Sequence, residues 1–164
     1  MAKRILKYIL MFSVFLVLQI TLIPLLAVYD VYPDLLLVGV ILSATRHGTV
    51  PAILTGFLVG LAQDITASQL YGLQALSKSV AGFVAGSLSA NKVKFDLQIT
   101  TGIVLVTALA HNLIRDGVYY IHEGYGFFPL LFRYVVPNAI YTTALAAIVQ
   151  ILWPGGLKRK AYEY

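Results

Sequence analysis

The sequence predicts an all-α membrane protein, a polytopic bundle of six transmembrane helices that forms a single integral membrane domain over residues 1–164. Composition is the first reason, because 59% of the residues are hydrophobic and 12% are charged, against about 45–50% and about 25% in soluble domains. The mean hydropathy of +0.83 agrees. The second reason is a series of six apolar runs, and the third is the distribution of basic residues among the loops between them.

The first three runs cover residues 5–29, 33–44 and 50–66. The first follows basic residues, as a signal peptide would, but it is longer than a signal core of about 7–15 residues and no clear cleavage site follows. We therefore interpret it as an uncleaved span. The second is short enough to be re-entrant, which leaves five spans as an alternative. Pro51 stands in the first turn of the third, where a missing N–H is harmless.

The last three runs cover residues 70–90, 97–121 and 127–153, and Pro137 interrupts the sixth. Six spans of about 20 residues each would occupy most of the chain. What remains is short loops and two short tails. A chain of this kind is expected to act through its membrane faces and its loops.

Basic residues fall on one side of this topology. With six passes, alternate loops share a side, and the loops of one side contain only acidic charges, Asp30, Asp34 and Glu123. By the positive-inside rule, the basic side and both termini are expected to be cytoplasmic. The excess of basic residues that gives the net charge of +5 is therefore attributed to orientation in the membrane. Nucleic acid is not expected as a partner. The basic side carries Lys3, Arg4, Lys7, Arg46, Lys92, Lys94, Lys158, Arg159 and Lys160.

The third and fourth runs share a pattern of small residues. Gly56 and Gly60 are four residues apart in the third run, and Gly82 and Gly86 are four apart in the fourth. Glycines at this spacing lie along one helix face and let two helix backbones approach closely in lipid. We therefore expect the third and fourth helices to pack antiparallel through these stripes.

Each glycine stripe continues to one charged residue at its external end, Asp64 on the third helix and Lys78 on the fourth. Antiparallel packing would bring the two to a similar depth. The pattern predicts an ion pair between Asp64 and Lys78, or one bridged by Arg115 of the fifth helix. Charges in a span are costly, by roughly 2.5–3.5 kcal/mol on insertion scales, so they are expected to face partners.

Further polar residues stand in the external half of the last two runs, and with Asp64 and Lys78 they form a predicted intramembrane polar cluster. Three interpretations remain open: an internal ion-pair network that locks the bundle, a ligand pocket or ion path, and a docking site for a helix of a partner. The added members are His111, Arg115, Asp116 and Arg133.

Motifs of catalysis are missing from the sequence. Cysteine is absent, and no metalloprotease, serine-hydrolase or phosphate-binding motif is found. His111 and His122 have no paired ligands at helical spacing. We therefore expect no enzyme activity, no catalytic residues, no metal site and no cofactor.

Four short motifs between residues 33 and 86 resemble those of the rod shape-determining MreD family: Pro33-Asp34, Arg46-x-Gly48, Gly56-Phe57-x-x-Gly60-Leu61-x-x-Asp64 and Gly72-Leu73-x-Ala75-Leu76. Length, multiple spans and the basic C-terminus are also similar. The resemblance implies a multi-pass protein of the bacterial inner membrane, a non-enzymatic scaffold of the machinery that elongates the lateral cell wall. It also implies a fold similar to the S-components of energy-coupling-factor transporters.

The resemblance further implies that the protein binds MreC, through the membrane span and juxtamembrane part of that partner. MreB, RodA and a class B penicillin-binding protein are placed in the same assembly. The alternative function is a small S-component-like transporter subunit that binds a vitamin-like solute. The sequence leaves open whether the chain is a monomer or a homodimer in the lipid bilayer.

Overall fold

The computed structural model describes residues 2–29, 31–67, 70–90, 97–122, 124 and 126–152, and within these ranges it contains six helices and no strand. The predicted all-helical architecture is thus confirmed. The sixth helix, α6, is continuous over residues 127–152, and the first five have the following bounds: α1 Ala2–Thr21, α2 Leu35–His47, α3 Thr49–Ala67, α4 Leu73–Ala90 and α5 Leu97–His122.

The short second run forms the central helix of the bundle. Every residue of α2 from Leu35 to Thr45 is buried, and the helix contacts α1, α3, α4, α5 and α6. At about 1.5 Å per residue, its 13 residues span about 20 Å. This is shorter than the roughly 30 Å hydrocarbon core of a bilayer.

Helices α3 and α4 pack antiparallel, with the glycines at their interface. A Cβ atom at Gly82 would lie 2.5 Å from the carbonyl oxygen of Ala52, and one at Gly86 would lie 2.5 Å from the Cα of Thr49. On the opposite helix, Gly56 and Gly60 face the backbone of α4 in the same way. The two backbones are therefore in direct contact, which only residues without a side chain permit.

Helix α6 contains a widened turn at its centre. Phe127–Leu130 is α-helical, Leu131–Val135 is a π turn, and Val136–Leu152 is α-helical again. Pro137 has no N–H to donate to the preceding turn, and the π turn ends just before it. The side-chain amide of Asn112 on α5 donates to the carbonyl oxygen of Val135 at 3.3 Å. The predicted interruption of the sixth run is thus a local widening of the helix.

Two described helices, Thr49–Thr66 and Phe127–Ile151, are long and apolar enough to cross a membrane by length and composition. Tyr8–Thr21 and Leu35–His47 are shorter apolar helices. The outer surface of the bundle is rich in exposed large hydrophobic side chains, among them Leu10, Val50, Leu58, Ile65 and Phe132. An apolar exterior of this kind is compatible with a membrane protein.

Much of the charge pattern used to predict orientation lies outside the described residues. This applies to Asp30, Glu123, Lys92, Lys94 and the basic segment 158–160, and to the side chains of Lys3, Arg4 and Lys7. The predicted turn between the third and fourth helices also lies partly outside them, at residues 68 and 69. Orientation in the membrane therefore stays a prediction from the sequence.

Candidate functional site

A group of buried polar side chains occupies the interior of the bundle, and we call it the polar core. Each member is at most 7% exposed. The members come from five of the six helices and from the segment that precedes α2. They are Gln19, Asp34, Asp64, Lys78, His111, Asn112, Arg115, Asp116, Asn138 and Thr142.

Asp34 lies at the centre of the polar core. It is the N-cap of α2, and its Oδ1 accepts a hydrogen bond from the backbone N–H of Leu37 at 2.8 Å, which satisfies one of the free donors of the first helical turn. Its own N–H donates to Thr142 Oγ1 on α6 at 3.0 Å. Its Oδ2 accepts from Lys78 Nζ on α4 at 2.6 Å. One residue thus connects α2 to two other helices.

Lys78 is fully buried and pairs with Asp34, so the predicted ion pair with Asp64 is wrong. Besides Asp34, its Nζ donates to Gln74 Oε1 at 3.0 Å. The physical reason is the position of α2, which packs against α4 and delivers the Asp34 carboxylate to the buried face of that helix. The prediction considered the third, fourth and fifth helices and treated Asp34 as a loop residue.

Asp64 has a different role, as a cap of the helix that follows it. Its Oδ2 accepts hydrogen bonds from the backbone N–H groups of Gly72 and Ala75, both at 3.0 Å, and its Oδ1 accepts from Gln74 at 2.9 Å. The first turn of a helix has N–H groups without intrahelical partners and a partial positive charge. The carboxylate of α3 satisfies both at the start of α4.

Arg115 and Asp116 form a second ion pair within α5. Arg115 Nε lies 2.7 Å from Asp116 Oδ1, and Arg115 Nη2 lies 3.1 Å from Asp116 Oδ2. Asn138 Nδ2 on α6 donates to the same Oδ2 at 3.4 Å, while its Oδ1 accepts from the backbone N–H of Tyr32. The predicted bridge by Arg115 between Asp64 and Lys78 is therefore absent among these residues.

A small cavity adjoins this second pair. Its volume is about 60 Å³, and its lining includes Tyr32, Asp64, Gln74, Arg115 and Asp116. The Arg115 guanidinium also lies over the Tyr32 ring, 5.7 Å from its centroid. A cavity of this size and polarity has room for about two water molecules, since one water occupies about 30 Å³ in the liquid.

The two remaining predicted members differ from each other. His111 is fully buried, with Nε2 3.4 Å from Asp34 Oδ2, and among the described residues neither ring nitrogen has a hydrogen bond of standard geometry. Arg133 lies outside the polar core. Its side chain is exposed, with the guanidinium carbon 5.7 Å from the centroid of the Tyr134 ring.

Sequence reasoning missed three uncharged members of the polar core, Gln19, Asn138 and Thr142. Gln19 on α1 accepts from the N–H of Leu35 at 2.7 Å and donates to the carbonyl oxygen of Pro33 at 3.3 Å. Uncharged polar residues are common in apolar helices, so they gave no signal. The signal for Asp34 was available, because a Pro-Asp pair before an apolar run is typical of a helix start.

The polar core is therefore a set of short contacts between oppositely charged or complementary groups. Four of its charges form the two ion pairs, the carboxylates of Asp34 and Asp64 cap helices, and its small cavity has room for water. Such an arrangement holds helices in a fixed relation to one another, because displacing one helix would leave buried polar groups without partners.

The whole chain is similar to one known family. The family model of rod shape-determining protein MreD matches residues 2–157 of the 164. No curated protein and no solved structure matches the chain. Because the match covers nearly its full length, the chain belongs to the MreD family of rod shape-determining proteins.

Proposed function

We propose that this MreD-family protein is a non-enzymatic scaffold of the cell-elongation machinery in the bacterial inner membrane. In this proposal it crosses the membrane six times with both termini in the cytoplasm. It binds MreC and thereby helps to organise lateral peptidoglycan synthesis together with RodA and a class B penicillin-binding protein. The family establishes the shape-determining role, and the partners and the topology are the proposed part.

The observation that carries the proposal is the division between the interior and the surface of the bundle. In the interior, most side chains of the polar core bind one another, and the cavity among them is about 60 Å³. Sites for small molecules usually measure about 300–1,000 Å³. The outer surface carries many exposed large hydrophobic residues, and contiguous exposed apolar residues mark sites of protein or membrane interaction.

The surface that we propose for MreC lies at the start of α6. Phe127, Phe128 and Phe132 are 54%, 71% and 69% exposed, and the last two are four residues apart, on one side of the helix. We call these three residues the aromatic patch. Aromatic residues are enriched at the energetic centres of protein interfaces, and this position near the loop also suits a juxtamembrane segment.

The alternative proposal is a solute-binding subunit with a fold similar to the S-components of energy-coupling-factor transporters. In this alternative, a vitamin-like solute binds in the polar core. The ion pairs Asp34–Lys78 and Arg115–Asp116 already fill that region, so binding would require both pairs to separate. The scaffold proposal requires no such rearrangement.

The test is co-purification of MreC with the tagged protein from membranes. We expect the double change Phe128→Ala and Phe132→Ala to lower the amount of MreC at least fivefold, because it removes most of the aromatic patch. The matched control is Ile148→Ala, since Ile148 is also exposed on α6 at 53% but lies five turns further along the helix.

Two results would count against the proposal. Full retention of MreC by the double variant would remove the aromatic patch as the interface. Sub-micromolar binding of a vitamin by the purified protein, with no MreC recovered from wild-type membranes, would replace the scaffold by the transporter alternative.

A further inference from the structure

A lateral groove runs along the outside of the bundle between α1, α2 and α3. Its volume is about 460 Å³, within the range of ligand sites. It is open to the exterior, because Ile9 and Leu58 on its rim are 58% and 65% exposed. The lining is mainly apolar and includes Phe12, Leu16, Leu36, Val59 and Ala62.

The length of the lateral groove matches one leaflet of a bilayer. Along α2 its lining runs from Leu36 to His47, and along α3 from Pro51 to Ala62. Each stretch covers eleven helical steps, or about 16 Å. The hydrocarbon core of a bilayer is about 30 Å thick, so one leaflet contributes about 15 Å. An acyl chain of a single leaflet would lie along the groove from end to end.

One end of the lateral groove is polar and basic, and we call it the mouth. There the Tyr8 hydroxyl lies 3.1 Å from His47 Nε2, and the two rings are in edge-to-face contact. Arg46 precedes His47 in the last turn of α2. Basic pockets between helices on the cytoplasmic side of a membrane bind the head groups of anionic lipids.

We propose that the lateral groove binds an anionic phospholipid of the cytoplasmic leaflet, with an acyl chain along the groove and the phosphate at the mouth. This assignment rests on the proposed orientation, which puts the mouth at the cytoplasmic surface. A partner helix is the competing occupant. The cross-linking outcome below distinguishes such a helix from lipid.

The test compares lipid retention by variants of the full chain. Protein equilibrated with vesicles of equal parts phosphatidylglycerol and phosphatidylcholine is examined by native mass spectrometry. Wild type is expected to retain phosphatidylglycerol at least fivefold over phosphatidylcholine. Ala62→Phe, which fills the groove, is expected to lower that retention at least fivefold. The control Ala144→Phe adds the same bulk at an exposed position of α6 outside the groove lining.

A second filling variant covers the case in which Ala62→Phe fails to fold. Ser13 lines the groove and is exposed, so Ser13→Phe adds a ring without disturbing the core and should give the same loss. The double change Arg46→Gln and His47→Gln should reduce the preference for phosphatidylglycerol to twofold or less, because it removes the Arg46 charge and the His47 ring at the mouth while the apolar lining remains.

Three results would overturn the inference. They are equal retention of the two lipids by wild type, unchanged retention by both filling variants, and cross-linking of a cysteine at Ser13 to a partner protein rather than to lipid. The cross-link is specific because the chain has no cysteine of its own. MreC co-purification measured on the same variants separates the two proposals, since the aromatic patch is not part of the groove.

Discussion

The Asp34 side chain serves two functions that are usually separate. One oxygen caps α2 and the other pairs with a lysine from a helix 44 residues further along the chain. A fully buried ammonium group is stable when it has a close counter-charge and further acceptors, and Lys78 has both in Asp34 and Gln74. The position of α2 in the bundle therefore depends on a single carboxylate.

Loss of either charge of this pair should destabilise the protein. We expect Lys78→Met and Asp34→Asn each to cost about 3–5 kcal/mol, because each leaves the other charge buried and unpaired. Asp34→Asn keeps an oxygen for the cap, so its loss reports mainly on the ion pair. The measurement is the midpoint of thermal unfolding of the purified protein in detergent.

The double variants identify the partner of Lys78. Combining Asp34→Asn with Lys78→Met should restore part of the lost stability, since a buried pair replaced by neutral groups is often tolerated. Combining Asp64→Asn with Lys78→Met should give only the sum of the two single losses. If the Asp64→Asn, Lys78→Met variant recovered stability and the Asp34→Asn, Lys78→Met variant did not, Lys78 would be paired with Asp64. That result would contradict the contacts described above.

The sequence predicted the kinds of residue in the polar core better than it predicted their partners. Helical spacing identifies which side chains share a face, and it correctly indicated that Asp64 and Lys78 lie near the junction of two helices. It does not identify a third helix that packs over them. A carboxylate such as that of Asp64 can accept hydrogen bonds either from backbone N–H groups or from a lysine. The path of the turn between α3 and α4 decides which of the two it meets.

Helices α3 and α4 form a close pair because four positions lack side chains. At Gly82 a methyl group would contact the carbonyl group of Ala52, which belongs to the backbone and cannot rotate away. At Gly56 it would contact the backbone of Lys78, so separation of the helices would also displace the lysine from Asp34. The glycine interface and the ion pair therefore depend on each other.

Gly82→Ala is expected to destabilise the protein by about 1–3 kcal/mol, the usual effect of overpacking, even though alanine favours helix by up to about 1 kcal/mol. Gly102→Ala on α5 is the matched control, because a Cβ there meets no atom of the described residues within 4 Å. It should be neutral or stabilising. The midpoint of thermal unfolding in detergent measures both, and equal effects at the two positions would show that close backbone contact is not what stabilises this pair.

Helix boundaries were predicted well where polar or turn residues interrupt apolar runs. The runs 50–66 and 70–90 correspond to α3 and α4, and 97–121 corresponds to α5. The first run was predicted to reach residue 29, whereas α1 ends at Thr21 and Pro24 lies in a short 3₁₀ turn, Ile23–Leu26. The run of apolar residues continues through this turn, but the α-helix ends before it, because a proline at that point cannot continue an α-helix.

For the protein as a whole, the orientation follows from charge in loops and is directly testable. Reporter fusions after Lys94 should read cytoplasmic, and fusions near Gly124 should read periplasmic, because alternate loops differ in basic residues. The opposite signal at either position would contradict the six-span topology. It would also move the mouth of the lateral groove to the other side of the membrane, and with it the leaflet of the proposed lipid.

The complete burial of α2 has a consequence for biosynthesis. The ribosome makes this helix before the residues that neutralise Asp34, and Lys78 follows 44 residues later. At a synthesis rate of about 5–20 residues per second, Lys78 is added to the chain roughly 2–9 s after Asp34. During that interval a helix of about 20 Å is shorter than the hydrocarbon core of a bilayer, and of the five helices that it contacts in the bundle only α1 has been made. We expect the insertion machinery to shelter α2 until α3 and α4 have emerged, so that the innermost helix of the bundle enters the membrane later than its place in the chain indicates.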